Sequence, residues 1–114
     1  MVLVVDDHPR ALRFIELGLR FHGFEVSTAS SGEEALESAR SNEPDIMLLD
    51  IIMPGIDGCE VLRQLRGFSQ VPVIAFSASL GERGRAMQSG ADTFISKPFD
   101  MDDLVKRITT ILQC

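Results

Sequence analysis

The chain has 114 residues, a length that holds one domain. Apolar residues make up 45% and charged residues 25%, a globular balance that excludes disorder and low-complexity sequence. Seventeen acidic against eleven basic residues leave a net charge of −6, and the arginines are scattered from Arg10 to Arg107, so no clustered basic face is available for direct nucleic-acid binding.

The first predicted strand is Val2-Leu3-Val4-Val5, an unbroken apolar run of the kind buried on both faces. Pro9 then sits just inside a helix start, with Asp7 or His8 as the cap. Leu12, Ile15 and Leu19, with neighbouring Phe14, form its apolar face, and Gly23 stops it. A second, more polar strand is expected over 24–28, near a sheet edge. Ser31 and Glu34 make a capping box before Ala35, Leu36 and Ala39. Pro44 precedes a third strand over 45–49, which delivers Asp50 at its C-terminal end. After the loop from Ile51 to Ile56, Asp57 caps a helix carrying Val61, Leu62 and Leu65.

The fourth strand is expected over 73–76, set off by Pro72 and ending at Ser77. A helix over 80–89 follows, weakened by Gly81 and Gly84, each costing about 1 kcal/mol against alanine. Residues 93–95 form the fifth strand. Beyond Lys97-Pro98, Asp100 caps a last helix whose inner face carries Leu104, Val105, Ile108, Ile111 and Leu112. Five alternating strands and helices specify right-handed βαβ crossovers and a parallel sheet covered on both faces.

Ligands of such open sheets bind beyond the carboxyl ends of the strands. The residues delivered there are Asp6 and Asp7, Asp50, Ser77 and Lys97; the end of the second strand, Ala29-Ser30, offers little. Crowded carboxylates raise a pKa or recruit a cation, and Asp oxygens are hard ligands suited to Mg²⁺, which commonly bridges carboxylate to phosphate. A carboxylate is also a competent nucleophile toward phosphorus. Three aspartates are balanced by one lysine and one divalent ion, and a phosphorylated Asp50, at about −2, leaves the group near −1. Phosphoryl transfer demands positioning and charge neutralisation. Asp50 as acceptor, Asp6 and Asp7 with Mg²⁺, and Lys97 with Ser77 on the phosphoryl oxygens would meet that demand.

Val4-Val5-Asp6-Asp7, then Asp50-Ile51-Ile52-Met53-Pro54-Gly55-Ile56-Asp57-Gly58, then Ser77-Ala78 and Lys97-Pro98-Phe99, in this order, resemble the receiver domain of two-component response regulators. The likeness runs from the first strand to the last helix. It implies an α/β, doubly wound (βα)5 sandwich of flavodoxin-like type, with a five-stranded parallel sheet of order 2-1-3-4-5. It also implies phosphorylation of Asp50 by a histidine kinase or histidine phosphotransfer protein. Mg²⁺, with Mn²⁺ as a substitute, would be held by Asp7, Asp50, the Ile52 backbone carbonyl and Asp6. Ser77 and Lys97 would bind the phosphoryl group, and Phe94 would move inward with Ser77 as a switch, altering the surface around the fourth and fifth helices and strands. The Lys97–Pro98 bond is expected to be cis. Ser77 stands where threonine is frequent, Phe94 lacks a tyrosine's hydroxyl, and Ile52, being apolar, is expected to lengthen the life of the phosphoryl group.

The same resemblance implies a downstream effector domain or protein and allows a phosphorylation-dependent dimer. Residues 1–114 would be one receiver domain, either stand-alone or, the favoured reading, a piece of a longer regulator or hybrid kinase. Two other functions compete. A small aspartyl phosphatase resembling the haloacid dehalogenases would need a second acid where Ile52 stands. A phosphorylation-independent module of receiver shape would not need the intact acid, serine and lysine set.

Asp57 is expected to be a plain cap, His8 a surface residue rather than a Mg²⁺ ligand, and His22 a helix-end residue favouring the dipole. Cys59 and Cys114 have the spacing of neither a disulfide framework nor a zinc site and are expected to be reduced thiols, Cys59 packing as a small hydrophobe. No apolar run approaches the ~20 residues of a membrane span, and no export signal is evident, so the cytoplasm is the expected compartment and no membrane a partner.

Overall fold

The computed structural model describes residues 1–113; the expectation for Cys114 lies outside the described residues. In chain order the elements are β1 (Val2–Val5), α1 (Pro9–Phe21), β2 (Val26–Ala29), α2 (Gly32–Ser41), β3 (Ile46–Asp50) and α3 (Gly58–Leu65). Then come β4 (Val73–Ser77), a 3₁₀ turn (Leu80–Glu82), α4 (Arg83–Ser89), β5 (Thr93–Ser96) and α5 (Met101–Leu112). All strand pairs are parallel and the sheet order is β2-β1-β3-β4-β5, as expected from the sequence.

Two apolar clusters, one on each sheet face, account for the unbroken hydrophobic strands. Because side chains alternate along a strand, Leu3, Val5, Met47, Leu49, Val73 and Ala75 face one way and pack against α2, α3 and α4. Val2, Val4, Ile46, Leu48, Ile74 and Phe76 face the other way and meet Ile15 and Leu19 of α1 and Leu104 and Ile108 of α5. Each central strand thus needs apolar residues at every position, which sets the register of the whole sheet.

Local signals set the element ends. The Ser31 hydroxyl accepts from the Glu34 N–H at 3.1 Å, while the Glu34 carboxylate reaches back to Ser30 rather than to the cap residue itself. Asp57 and Asp100 cap α3 and α5 by accepting from Glu60 N–H at 3.0 Å and Asp102 N–H at 2.9 Å. The Lys97–Pro98 peptide is cis.

Several boundaries differ from expectation. β2 begins at Val26, not at 24, because Phe24 N–H is used by the Leu19 carbonyl to close the end of α1. Residues 80–89 are not one helix but a 3₁₀ turn followed by seven α-helical residues. Phe14 does not join the core, because it lies beside the buried stripe of α1, and Leu112 is exposed as the last residue of α5.

Candidate functional site

The parallel register brings the strand ends into one rim. β1 stops at Val5 and hands the chain to Asp6 and Asp7; β3 ends in Asp50, β4 in Ser77, and β5 one residue before Lys97. Val5 pairs with Leu49, Asp50 with Phe76, and Ser77 with Ser96, so the rim residues arrive at nearly the same height. Lys97 Nζ donates to Asp6 Oδ2 at 3.3 Å and to Asp50 Oδ2 at 3.5 Å. Asp6 is fully buried (0% exposed), and Asp50 and Ser77 nearly so (4% and 1%). The Lys97 ammonium also stands 4.8 Å from the centre of the Phe76 ring, which in turn packs edge-on against Phe99.

One local device recurs at the ends of three strands. His8 N–H donates to Asp6 Oδ1 at 2.9 Å, Ile52 N–H to Asp50 Oδ1 at 3.1 Å, and Ser79 N–H to Ser77 Oγ at 3.1 Å. In each case a short polar side chain captures the backbone two residues on and turns the chain out of the sheet. Behind Asp50, α3 begins so close that a β-carbon on Gly58 would stand 2.6 Å from the Asp50 carbonyl oxygen and from the Ile51 Cα. Gly58 therefore lets the helix start wedge the strand end in place, and its N–H bonds the Ile51 carbonyl at 2.8 Å.

Electrostatically the rim is under load. Burial pushes the Asp50 carboxyl up from its ordinary 3.8 to about 6; the Lys97 ammonium opposes this, the neighbouring Asp6 adds to it, and the Ile52 N–H opposes it. One oxygen each of Asp6, Asp7 and Asp50 and one nitrogen of His8 lie within 4.8 Å of one another. Asp7 Oδ1 is buried and accepts no hydrogen bond among the described residues. An orphaned buried carboxylate oxygen facing two further carboxylates fits a hard divalent cation such as Mg²⁺.

Residues 2–109 match the family model described as the response regulator receiver domain. The chain belongs to this family. As a receiver domain of two-component systems it is a signalling domain, of a family that acts as phosphorylation-driven switches and binds Mg²⁺ at an acidic pocket. The transcriptional regulatory protein PrrA of Mycobacterium tuberculosis is 46% identical over 115 residues, covering 98% of this chain and 49% of the relative. KdpE of the same organism is 40% identical over 110 residues, covering 95% and 49%. The chain thus spans about half the length of the curated relatives it matches. Among solved structures, the Francisella response regulator 1452 receiver domain superposes with a TM-score of 0.91 at 33% identity, covering 98% of this chain and 95% of that one. TrrA of Thermotoga maritima, solved in complex with Mg²⁺-BeF, gives 0.89 at 34% identity and 96% of each chain. Such values confirm the receiver fold expected from the sequence.

Of the residues named from sequence, the receiver brings Asp6, Asp7, Asp50, Ser77 and Lys97 to one rim. The Ile52 side chain is exposed beside them, and Phe94 is buried among the residues packed under α4. Asp57 is a cap, as expected, but it also accepts from Arg85 at 2.9 Å, an ion pair joining α3 to α4, and the Glu60 N–H and Arg85 hold its carboxyl below the ordinary range against a desolvation penalty. His22 lies at the far end of α1, its Nδ1 2.9 Å from the Gly18 carbonyl. Cys59 is buried and free.

Sequence reasoning missed one group. Arg66 donates to the carbonyls of Ser69, Val71 and Gly90 and to Asp92, bolting the end of α3 to the segment before β5. His8 is exposed, as expected, and its Nδ1 lies 3.4 Å from both Asp6 Oδ1 and Asp7 Oδ1. Its place directly after the acid pair was a signal, but the direction of its ring is fixed only by the turn into α1.

Proposed function

We propose that the chain is the receiver of a phosphorylation-activated switch in which Asp50 accepts a phosphoryl group from the phosphohistidine of a histidine kinase or phosphotransfer protein. The observation that carries this reading is the meeting of buried Asp6 and Asp50 across one lysine, 91 and 47 residues away in the chain. In the proposed step an Asp50 carboxylate oxygen forms a bond to phosphorus as the phosphorus–nitrogen bond of the donor breaks, and the donor imidazole takes up a proton. Lys97 and the Ser77 hydroxyl would bind phosphoryl oxygens, the lysine supplying a charge already in place before transfer.

Asp6, Asp7, Asp50 and the Ile52 backbone carbonyl would hold Mg²⁺, for which Mn²⁺ would substitute; when bound, the ion neutralises the carboxylates and the incoming phosphoryl oxygens. The orphaned Asp7 Oδ1 supports this, as does the pKa of Asp50, raised chiefly by burial and further by the neighbouring Asp6, since a bound cation would offset both.

The Ser77 hydroxyl accepts from Ser79 N–H, so drawing it toward a phosphoryl group would pull the segment leading into the 3₁₀ turn and α4. Phe94, buried in the cluster that includes Ala86 of α4, would re-settle with it, altering the surface formed by β4, α4, β5 and α5 for an effector domain or protein, or for a second copy in a phosphorylation-dependent dimer. The apolar, half-exposed Ile52 would leave an attacking water unoriented and so prolong the phosphorylated state; Ile52→Asn is expected to shorten it. We read the chain as one receiver domain, a piece of a longer cytoplasmic regulator or hybrid kinase with no direct nucleic-acid contact of its own. No helix among the described residues is long and apolar enough to cross a membrane.

Incubation with acetyl phosphate and Mg²⁺ followed by intact-mass measurement tests the core of this. One phosphoryl adduct is expected, absent without metal and absent in Asp50→Asn. Steady turnover without an adduct would point to a phosphatase instead, and no reaction at all to a phosphorylation-independent module.

A further inference from the structure

We propose that His8 is a ligand of the cation held in the acidic pocket, making it a mixed nitrogen–oxygen site that favours first-row transition ions over Mg²⁺ beyond what the carboxylates alone would give. This rests on the reading that the pocket binds a divalent cation. The residue lies at the cap position of α1, yet its side chain makes no capping hydrogen bond. Its Nδ1 stands instead 3.4 Å from Asp6 Oδ1 and 3.4 Å from Asp7 Oδ1. Among the described residues Asp7 Oδ1 accepts no hydrogen bond, so imidazole and carboxylate are close without being bonded to each other.

Such a spacing is that of neighbouring ligands around one ion. With ligands at about 2.1 Å, adjacent donors in an octahedron are about 3.0 Å apart and opposite ones about 4.2 Å. The four donor atoms here span at most 4.8 Å, so a few tenths of an ångström of closure completes the set. The His8 ring is 71% exposed, so little packing holds it in its present place. Mg²⁺ takes oxygen donors and gains little from a nitrogen, whereas imidazole suits nickel, cobalt, copper and zinc.

Calorimetric titration of the chelator-stripped chain with MgCl₂ and with NiCl₂ tests this in wild type, His8→Ala, His22→Ala and Asp50→Asn. His8→Ala is expected to weaken Ni²⁺ binding at least about tenfold while leaving Mg²⁺ within about twofold. His22→Ala, which removes the other imidazole, should change neither ion, and Asp50→Asn should weaken both. In Co²⁺-loaded protein the ring protons of His8, and not of His22, should be paramagnetically shifted. Both ions binding wild type with Ni²⁺ indifferent to His8→Ala, or with Mg²⁺ weakened equally, overturns the role of His8 and leaves the pocket reading intact. That role is equally overturned if His22→Ala is the variant that loses Ni²⁺. If neither ion binds, or both bind Asp50→Asn as well as wild type, the pocket reading fails and this inference with it.

Discussion

Helices α3 and α4 lie side by side on one face of the sheet and differ in almost everything that holds a helix. α3 has a side-chain cap from Asp57, buries Cys59, Val61, Leu62 and Leu65, and begins in backbone contact with the end of β3. Among the described residues, α4 is entered through a 3₁₀ turn, has no side-chain cap, carries Gly84 in its first turn and buries only Ala86. One helix braces Asp50; the other, on the proposed reading, belongs to the surface that rearranges. Stability in a domain is not uniform, and a segment with few buried contacts opens at low cost while its neighbour stays closed. The same sheet face therefore combines a fixed charge geometry with a movable surface, coupled through Arg85–Asp57 and through Arg66, which reaches from the end of α3 to the Gly90 carbonyl just after α4.

The sharpest way to break that contrast is to place one methyl group in each helix. Gly58→Ala would drive a β-carbon into the backbone of Asp50 and Ile51, and a loss of about 3 kcal/mol is expected in urea unfolding. A cost under about 1 kcal/mol would mean that the rim is not held rigidly from behind.

The second test concerns charge at the braced end. The folded Asp50 pKa of about 6 lies above its ordinary 3.8, so between those pH values the native state keeps a proton that the unfolded chain has released. This contribution is therefore present below about pH 4 and is lost as pH rises through 6, amounting to roughly 2–3 kcal/mol. In metal-free buffer, wild type should lose stability relative to Asp50→Asn from pH 4.5 to pH 7, and Mg²⁺ should raise the wild-type Tm more at pH 7 than at pH 5. Parallel pH profiles of the two proteins would remove the electrostatic load from the account.

Arg66→Ala comes next, at about 2 kcal/mol, because it leaves the carbonyls of Val71 and Gly90 without their guanidinium partner. Amide exchange should quicken around residues 84–92 and stay unchanged in α3; equal quickening in both helices would show them to open as one unit. The smallest effect has the opposite sign. Among the described residues nothing lies within 4 Å of a β-carbon at Gly84, so Gly84→Ala should stabilise by about 0.5–1 kcal/mol and slow exchange in α4.

Much of this architecture was legible in the chain itself. Apolar runs at 2–5, 46–49 and 73–76 mark buried parallel strands, and Ser31, Asp57 and Asp100 mark helix starts, because backbone hydrogen bonding and side-chain alternation act over a few residues. Once five such units alternate, parallel topology follows, and with it the arrival of Asp6, Asp7, Asp50, Ser77 and Lys97 at one edge. Local pattern was less informative where an element is marginal: the 3₁₀ entry to α4 and the late start of β2 depend on neighbours such as the Leu19 carbonyl, which takes the Phe24 N–H.

Only the tertiary structure decided how the charges divide. That Asp6 and Asp50 share Lys97 while Asp7 keeps an orphaned oxygen, that His8 turns toward the acid pair, and that Arg66 spans three segments all follow from separations of a few ångströms between chain-distant groups. Such separations are set by strand register and by the packing behind each strand end, as where Gly58 meets Asp50, and no local run of residues encodes them.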